Sequence, residues 1–147
     1  SRSIVVGRAS VDDRVLRDIA DEWRGLSWVT SIRVRPRNKP NKAVVELEAD
    51  YYPSEVREVS VEFEVLVSGD FFVTYREVWE RAADDYRCRW DRHANDHNSR
   101  DHFHEPPDCE TAVDRDDFPK YPYQMTELVL RFVERRRGTA FEESRLS

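Results

Sequence analysis

All four histidines of this 147-residue chain lie in one short segment, "RHANDHNSRDHFHEPPD". Imidazole titrates near neutral pH, so two histidines held close together can serve as a general base and a general acid. Such a pair is sufficient to cleave RNA without a metal, because the base activates the 2′-hydroxyl and the acid protonates the leaving oxygen. The segment therefore contains the residue types of a metal-independent ribonuclease.

Arginine and aromatic side chains close to the histidines in sequence could complete such a site. A guanidinium stabilises the negative charge of a phosphorane, and an exposed aromatic ring can stack on an unpaired base. The candidate catalytic residues, which would supply acid, base and phosphate contacts, are His97, His102, His104, Arg89 and Arg92. The candidate binding residues, which would line the pocket, are His93, Asp91, Arg100, Phe103 and Tyr75, with Trp90 as an alternative to Tyr75.

Two other interpretations of the histidines remain open. If "HFH" is extended, His102 and His104 project to the same side about 6.6 Å apart and could bind one divalent metal with His93 or His97. This spacing matches no common zinc signature, and the ribonuclease interpretation requires no cofactor. Alternatively, the segment is a polar loop whose imidazoles pair with backbone groups and carboxylates, or bind a protein partner.

The charge composition indicates a halophilic protein. The chain has 30 acidic residues, 21 arginines and only 3 lysines, which gives a net charge of -6. An acidic, lysine-poor surface suits molar salt, where the Debye length falls to about 3 Å. A GC-rich genome would also favour arginine over lysine. Because strong screening weakens long-range repulsion, the net charge argues only weakly against an RNA partner.

The length fits one domain spanning residues 1–147. Cys88 and Cys109 have no metal-finger spacing, which favours reduced thiols in an intracellular protein. No segment has the roughly 18 apolar residues of a membrane span, and no apolar signal-peptide core is visible at the start. We therefore expect a soluble, cytoplasmic protein; the sequence does not indicate its oligomeric state.

Hydrophobic periodicity predicts a helix followed by strands. "SVDDRVLRDIADEWRGL" has an apolar stripe at helical spacing, with Ser10 as the predicted start and Gly25 as the end. Alternating residues predict strands in "WVTSIRVRP", "KAVVELEADYYP", "REVSVEFEVLV", "FFVTYREVW" and "DYRCRWD". A three-residue turn between the third and fourth strands would place Val65 opposite Val73 and Phe63 opposite Tyr75.

A second helix is predicted near the carboxyl end. "YQMTELVLRFVERRRG" carries a buried stripe, with arginines at the negative end of the helix dipole and Gly138 as the stop. Residues 138–147 would form a flexible tail. The element order indicates an α+β protein with an N-terminal helix, an antiparallel sheet of about five strands, a histidine-rich loop and a C-terminal helix packed on the sheet.

The segment "YRCRWDRHANDHNSRDHFH", which follows the "GDFFVTYRE" hairpin, resembles the TumE family of toxin–antitoxin proteins. The matching positions are Arg89, Trp90, Asp91, His93, His97, His102, Phe103 and His104. The resemblance implies a toxin with RNA cleavage as its candidate activity, encoded beside a DNA-binding antitoxin. The chain differs from the family pattern in separating two histidines within "HANDH" and in its acidic "CETAVDRDDF" stretch.

Overall fold

A computed structural model describes residues 11–35, 41–94 and 99–146. One antiparallel sheet of seven strands runs in chain order from β1 to β7, between one helix before it and one after it. The elements are α1 (Asp13–Arg24), β1 (Val29–Arg35), β2 (Lys42–Leu47), β3 (Val56–Val65), β4 (Phe71–Trp79), β5 (Tyr86–Ala94), β6 (Ser99–His104), β7 (Ala112–Arg115) and α2 (Pro122–Leu146). This arrangement confirms the predicted α+β class.

Helix α1 begins two residues later than predicted. Asp12 is the N-cap, and its carboxylate accepts a hydrogen bond from the backbone N–H of Val15 at 3.1 Å. The predicted start, Ser10, lies outside the described residues. The predicted end at Gly25 is confirmed. The apolar stripe is buried, and Trp23 packs edge-on against Phe63 with ring centroids 5.2 Å apart.

The β3–β4 hairpin has a three-residue turn, as predicted, but the turn lies one residue earlier in the chain. Val65 pairs with Phe71 and Phe63 pairs with Val73, so the predicted register is wrong by two residues. Leu66 donates to the Asp70 carbonyl at 2.8 Å, which continues the strand pairing and leaves Val67, Ser68 and Gly69 as the turn. Gly69 has φ 95° there, a conformation that favours glycine. A two-residue error preserves the alternation, so each side chain stays on its predicted face.

Both helices pack on the same face of the sheet, which we call the inner face. The inner-face residues of β3 and β4 are almost completely buried, as are those of β5 that contact α2. Phe132 of α2 lies 5.2 Å from the Tyr75 ring and 5.0 Å from the Trp90 ring. The opposite face, which we call the outer face, carries no helix among the described residues.

The sheet has more strands than the five predicted, because two strands lie in segments that we expected to be loops. The predicted histidine-rich loop is instead largely a hairpin formed by β5 and β6. The acidic stretch after it contributes β7, which pairs with β6 along the edge of the sheet. Most of the histidine segment is therefore part of the sheet itself.

Helix α2 does not end at Gly138, as predicted, but continues to Leu146. Beyond the glycine, Ala140 is buried against the core. Arg136 bridges the two parts of the helix by donating to Glu143 at 2.9 Å. Because packing and this ion pair stabilise the last turns, the weak helix propensity of one glycine does not stop the helix. Neither described helix has an apolar stretch long enough to cross a membrane.

Candidate functional site

The site lies on the outer face, where strand alternation brings together side chains that are separated in sequence. Along β5, Trp90 is buried on the inner face, so its neighbours Arg89 and Asp91 project to the outer face. Cross-strand pairing places His104 opposite Arg89 and His102 opposite Asp91. An arginine, a carboxylate and two histidines thus occupy adjacent positions on one face.

Asp91 is the centre of this arrangement. It is fully buried, and its Oδ2 atom accepts a hydrogen bond from Nε of Arg89 at 3.2 Å. The same oxygen lies 3.0 Å from Nε2 of His104 and 3.6 Å from Nε2 of His93. Its Oδ1 atom has no hydrogen-bond partner within the described part of the chain. One carboxylate oxygen therefore holds a guanidinium and an imidazole side by side.

Nε2 of His104 lies between a hydrogen-bond acceptor and a hydrogen-bond donor. Nε2 of His104 is 3.0 Å from Asp91 Oδ2 and 3.2 Å from an Nη2 atom of Arg89. An ionised carboxylate can only accept a hydrogen bond, whereas a guanidinium can only donate. With its proton on Nε2, His104 donates to Asp91 and has its lone pair at Nδ1; with the proton on Nδ1, Nε2 accepts from Arg89.

His93 and His102 extend the histidine cluster. Their ring centroids are 6.2 Å apart, and His93 also packs edge-on against Phe72 at 5.0 Å. Nδ1 of His102 lies 3.0 Å from an oxygen of Asp114, on the adjacent strand β7. The His93 side chain is 49% exposed, while those of His102 and His104 are 21% and 19% exposed. All three imidazoles are therefore within reach of solvent.

Arg92, a predicted phosphate contact, is on the inner face instead. Its Nε and Nη2 atoms donate to the two carboxylate oxygens of Asp101 at 2.7 and 2.8 Å. Nη1 and Nη2 also donate to the carbonyls of Lys120 and Pro119, both at 2.9 Å. Hydrogen bonding to Asp101 raises the pKa of Arg92. Its guanidinium thus fastens the chain before α2 to the sheet, away from the histidines.

Tyr75, Trp90 and Phe103 also lie on the inner face. Tyr75 is completely buried and hydrogen-bonds to Glu77 at 2.6 Å, so it does not line a pocket as we predicted. Trp90 is buried as well. Phe103 packs on Trp90 with ring centroids 5.3 Å apart. The aromatic residue that lies beside the histidines is Phe72, which the prediction did not include.

Two predicted site residues cannot be placed fully. His97 lies outside the described residues. The backbone of Arg100 pairs with His93 across the β5–β6 hairpin, but its side chain is outside the description. The described candidate metal ligands, His93, His102 and His104, do not form a metal site either. Among the described residues, no group of three His, Cys, Asp or Glu side chains could hold a metal ion.

Two further arginines share the outer face with the histidines. Arg76 of β4 lies directly opposite Arg87 of β5, and both are exposed. Arg76 was missed because it is distant in sequence from the histidines. Strand alternation could have identified it, because Arg76 is two residues from Thr74 and therefore lies on the same face. Thr74 pairs with Arg89, which is on the outer face.

A family model described as Toxin TumE matches residues 13–137, from the start of α1 into α2. No curated protein matches the chain. No solved structure matches it either. The matched range includes the entire sheet and therefore the outer-face residues described above.

Proposed function

Because this chain belongs to the TumE toxin family, we propose that it acts as a toxin by cleaving RNA without a metal at the outer face of its sheet. His102 and His104 would provide acid–base catalysis, and Arg89 would bind the scissile phosphate. His93 and Phe72 would contact the substrate beside them. An antitoxin protein is the expected partner that controls this activity.

The contacts of the two histidines support these roles. Each has one ring nitrogen beside a carboxylate, Asp91 for His104 and Asp114 for His102. A carboxylate that accepts from one ring nitrogen fixes the orientation of the ring and leaves the other nitrogen to exchange a proton. Two rings oriented in this way meet the requirement for a paired base and acid.

The proposed reaction conserves all atoms. One imidazole removes the proton from a 2′-hydroxyl, and the 2′-oxygen forms a bond to phosphorus. The bond from phosphorus to the 5′-oxygen breaks, and the second imidazole donates a proton to that oxygen. The products carry a 2′,3′-cyclic phosphate and a 5′-hydroxyl. Arg89, 3.2 Å from His104, would stabilise the charge that develops on the phosphorane.

The observation that carries this proposal is the buried Asp91 carboxylate, which holds Arg89 and His104 with a single oxygen. Burying a charge costs free energy, and packing alone would be served as well by an apolar residue at this position. A buried carboxylate beneath a solvent-accessible imidazole and guanidinium is instead typical of sites that position catalytic groups.

Cleavage of a fluorescent single-stranded RNA by purified protein tests the proposal. We expect His102→Ala and His104→Ala each to lose about 100-fold or more in rate, the range of acid–base catalysis. Asp91→Asn should also slow cleavage, and circular dichroism should establish that it is folded, because this carboxylate is buried and paired with Arg89. Arg33→Ala is the matched control, because Arg33 is an exposed arginine of the same sheet paired with Glu46 at 3.3 Å.

Several results would contradict the proposal. Wild-type protein should give 2′,3′-cyclic phosphate ends, remain active in EDTA and fail to cleave the 2′-deoxy substrate. Unchanged cleavage by the double variant His102→Ala/His104→Ala would reject the assignment, and loss of wild-type activity in EDTA would favour a metal site. Because the composition indicates a halophile, the assays should be run in both low and molar salt.

Growth inhibition separates catalysis from binding. Expression of the wild-type chain alone should inhibit growth, and co-expression of an antitoxin encoded beside it should restore growth. The His102→Ala/His104→Ala variant should be harmless at equal protein level. Inhibition that persists in this variant would favour a non-catalytic protein-binding domain.

A further inference from the structure

Building on the proposed function, we propose that Arg76 and Arg87 bind the RNA phosphate next to the scissile phosphate, which Arg89 holds. These three arginines, together with Ser60, Glu62 and Thr74, line a cavity of about 330 Å³ on the outer face, which we call the arginine groove. Cys109 also borders the groove. The ligand class is a single-stranded nucleic acid that places a second phosphate in this groove.

The register of the sheet concentrates positive charge in the groove. Arg76 and Arg87 are a directly opposed pair on β4 and β5. Arg89 is two residues from Arg87 on the same face, a distance of about 6.6 Å along the strand. Like charges directly opposite one another destabilise a sheet. The arrangement is therefore unfavourable for the free protein and becomes favourable when an anion lies between the guanidinium groups.

Arg89 is paired with the buried Asp91, whereas the charges of Arg76 and Arg87 are not neutralised by an ion pair within the described residues. Arg87 lies beside the segment that follows β6, where its Nη2 atom donates to the Asp108 carbonyl at 3.5 Å and its guanidinium contacts the Cys109 thiol. Glu62, the acidic residue in the groove, is itself 3.6 Å from the ammonium of Lys42. The guanidinium groups therefore retain hydrogen-bond donors for a phosphate.

The arginine groove lies next to the histidine site on the outer face, because Arg87 and Arg89 are neighbours on the same side of β5. Thr74, Arg89 and His104 occupy one row of paired residues across β4, β5 and β6. Arg76 and Arg87 occupy the next row, about 6.6 Å away. A phosphate at Arg89 and His104 therefore places a neighbouring phosphate of the same backbone near the Arg76–Arg87 pair. The hydroxyls of Ser60 and Thr74 can donate to its oxygens.

Binding of a non-cleavable oligonucleotide tests this subsite independently of catalysis. The probe is a fluorescent 2′-deoxy oligonucleotide, and fluorescence anisotropy gives its Kd over a range of salt concentrations. We expect Arg76→Ala/Arg87→Ala to weaken binding about tenfold or more for every sequence tested. Loss of one phosphate contact should reduce the slope of log Kobs against log salt by about 0.7.

A charge-matched control distinguishes the groove from general electrostatics. Arg14→Ala/Arg33→Ala removes the same two charges, one from α1 on the inner side of the sheet and one from β1. This control should bind the probe nearly as well as wild type. Circular dichroism and thermal melting should show that Arg76→Ala/Arg87→Ala is folded, with a Tm no lower than wild type, since the substitution removes a repulsive pair. Equal binding by the groove variant and this control would overturn the proposal.

Cleavage of short and long substrates separates this proposal from the proposed function. A dinucleotide has one phosphate and cannot reach the groove, so Arg76→Ala/Arg87→Ala should cleave it as fast as wild type. The same variant should show a raised KM for a longer RNA. If wild type cleaves no RNA, the ribonuclease proposal fails. The binding measurement still tests whether the arginine groove binds phosphate, because it does not depend on cleavage. If binding is unchanged but cleavage requires His104, the groove proposal alone fails.

Discussion

The buried ion pair between Glu77 and Arg136 should be the strongest single polar contribution to holding α2 on the sheet. Nε and Nη2 of Arg136 donate to the two oxygens of Glu77 at 2.7 and 2.9 Å. The Glu77 carboxylate also accepts from Tyr75 at 2.6 Å and from the Trp79 indole at 2.9 Å. The Arg136 guanidinium stacks 3.6 Å from the Tyr86 ring centroid. Both side chains are at most 3% exposed.

We expect Glu77→Gln to destabilise the protein severely. The glutamine keeps the shape of the side chain, but it removes the charge and turns an NH₂ group towards a guanidinium that can only donate. Removing one partner of a buried pair costs about 3–5 kcal/mol. For a chain of this length, about 2–4 °C of Tm per kcal/mol gives a decrease of about 6–20 °C. Thermal melting and urea unfolding, both followed by circular dichroism, measure the change.

A second ion pair on the surface provides the matched control. Arg115 binds Asp117 through the same two nitrogens, at 2.9 and 2.6 Å, but these side chains are 35% and 54% exposed. Asp117→Asn should therefore cost less than about 1 kcal/mol. Equal losses for Glu77→Gln and Asp117→Asn would refute the reasoning, because burial is the main difference between the two pairs.

The remaining predictions concern local stability and ionisation. Asp12→Ala removes the cap on Val15 and should cost about 1 kcal/mol in urea unfolding, whereas Asp12→Asn should cost much less. Burial raises the pKa of Tyr52 to about 12 from the 10 of an exposed phenol. The neutral phenol is therefore favoured by folding, and stability should fall as pH rises from about 10 through about 12, by up to about 2.7 kcal/mol. Tyr52→Phe cannot ionise and should lose less stability over that range; an identical alkaline unfolding curve would contradict this. Burial also raises the pKa of both thiols, so iodoacetamide at pH 8 should modify Cys109 slowly and Cys88 only after unfolding, as mass spectrometry of the labelled peptides would show.

Strand alternation made much of the sheet predictable. "FFVTYREVW" was predicted as a strand with the same ends as β4, because Phe71, Val73, Tyr75 and Trp79 fall on one face of it. Alternation along "DYRCRWD" likewise places Arg89 and Asp91 on the face opposite Trp90, as the structure has it. Where one face of a strand is buried and the other is open, the sequence contains the information needed to assign the faces.

The last two strands could not be predicted in this way. In β6, Asp101 and Phe103 share the inner face, so the strand shows no simple division into polar and apolar sides. Asp101 is tolerated there because Arg92 neutralises it, a contact that depends on the tertiary structure. Strand β7 is mostly exposed at the edge of the sheet and has no buried stripe. Periodicity therefore gave no signal for either strand.

The candidate site was only partly predictable, because residues that are close in sequence alternate between the two faces of a strand. Arg92 was chosen for its position beside the histidines, although alternation places it on the same side as Trp90. Arg76 was overlooked, although alternation places it on the outer face. Its position opposite Arg87 depends on the pairing of β4 with β5, which the sequence alone did not specify.

Alternate residues of strand β5 face two different environments, the buried inner face of the sheet and its open outer face. Cys88 and Trp90 are packed beneath α2, while Arg87 and Arg89 face the open side. Under our proposal, consecutive codons of this strand are constrained for different reasons. A saturation mutagenesis library sorted separately for protein abundance and for toxicity should therefore show an alternating profile, with Cys88 and Trp90 intolerant in both screens and Arg87 and Arg89 intolerant only in the second.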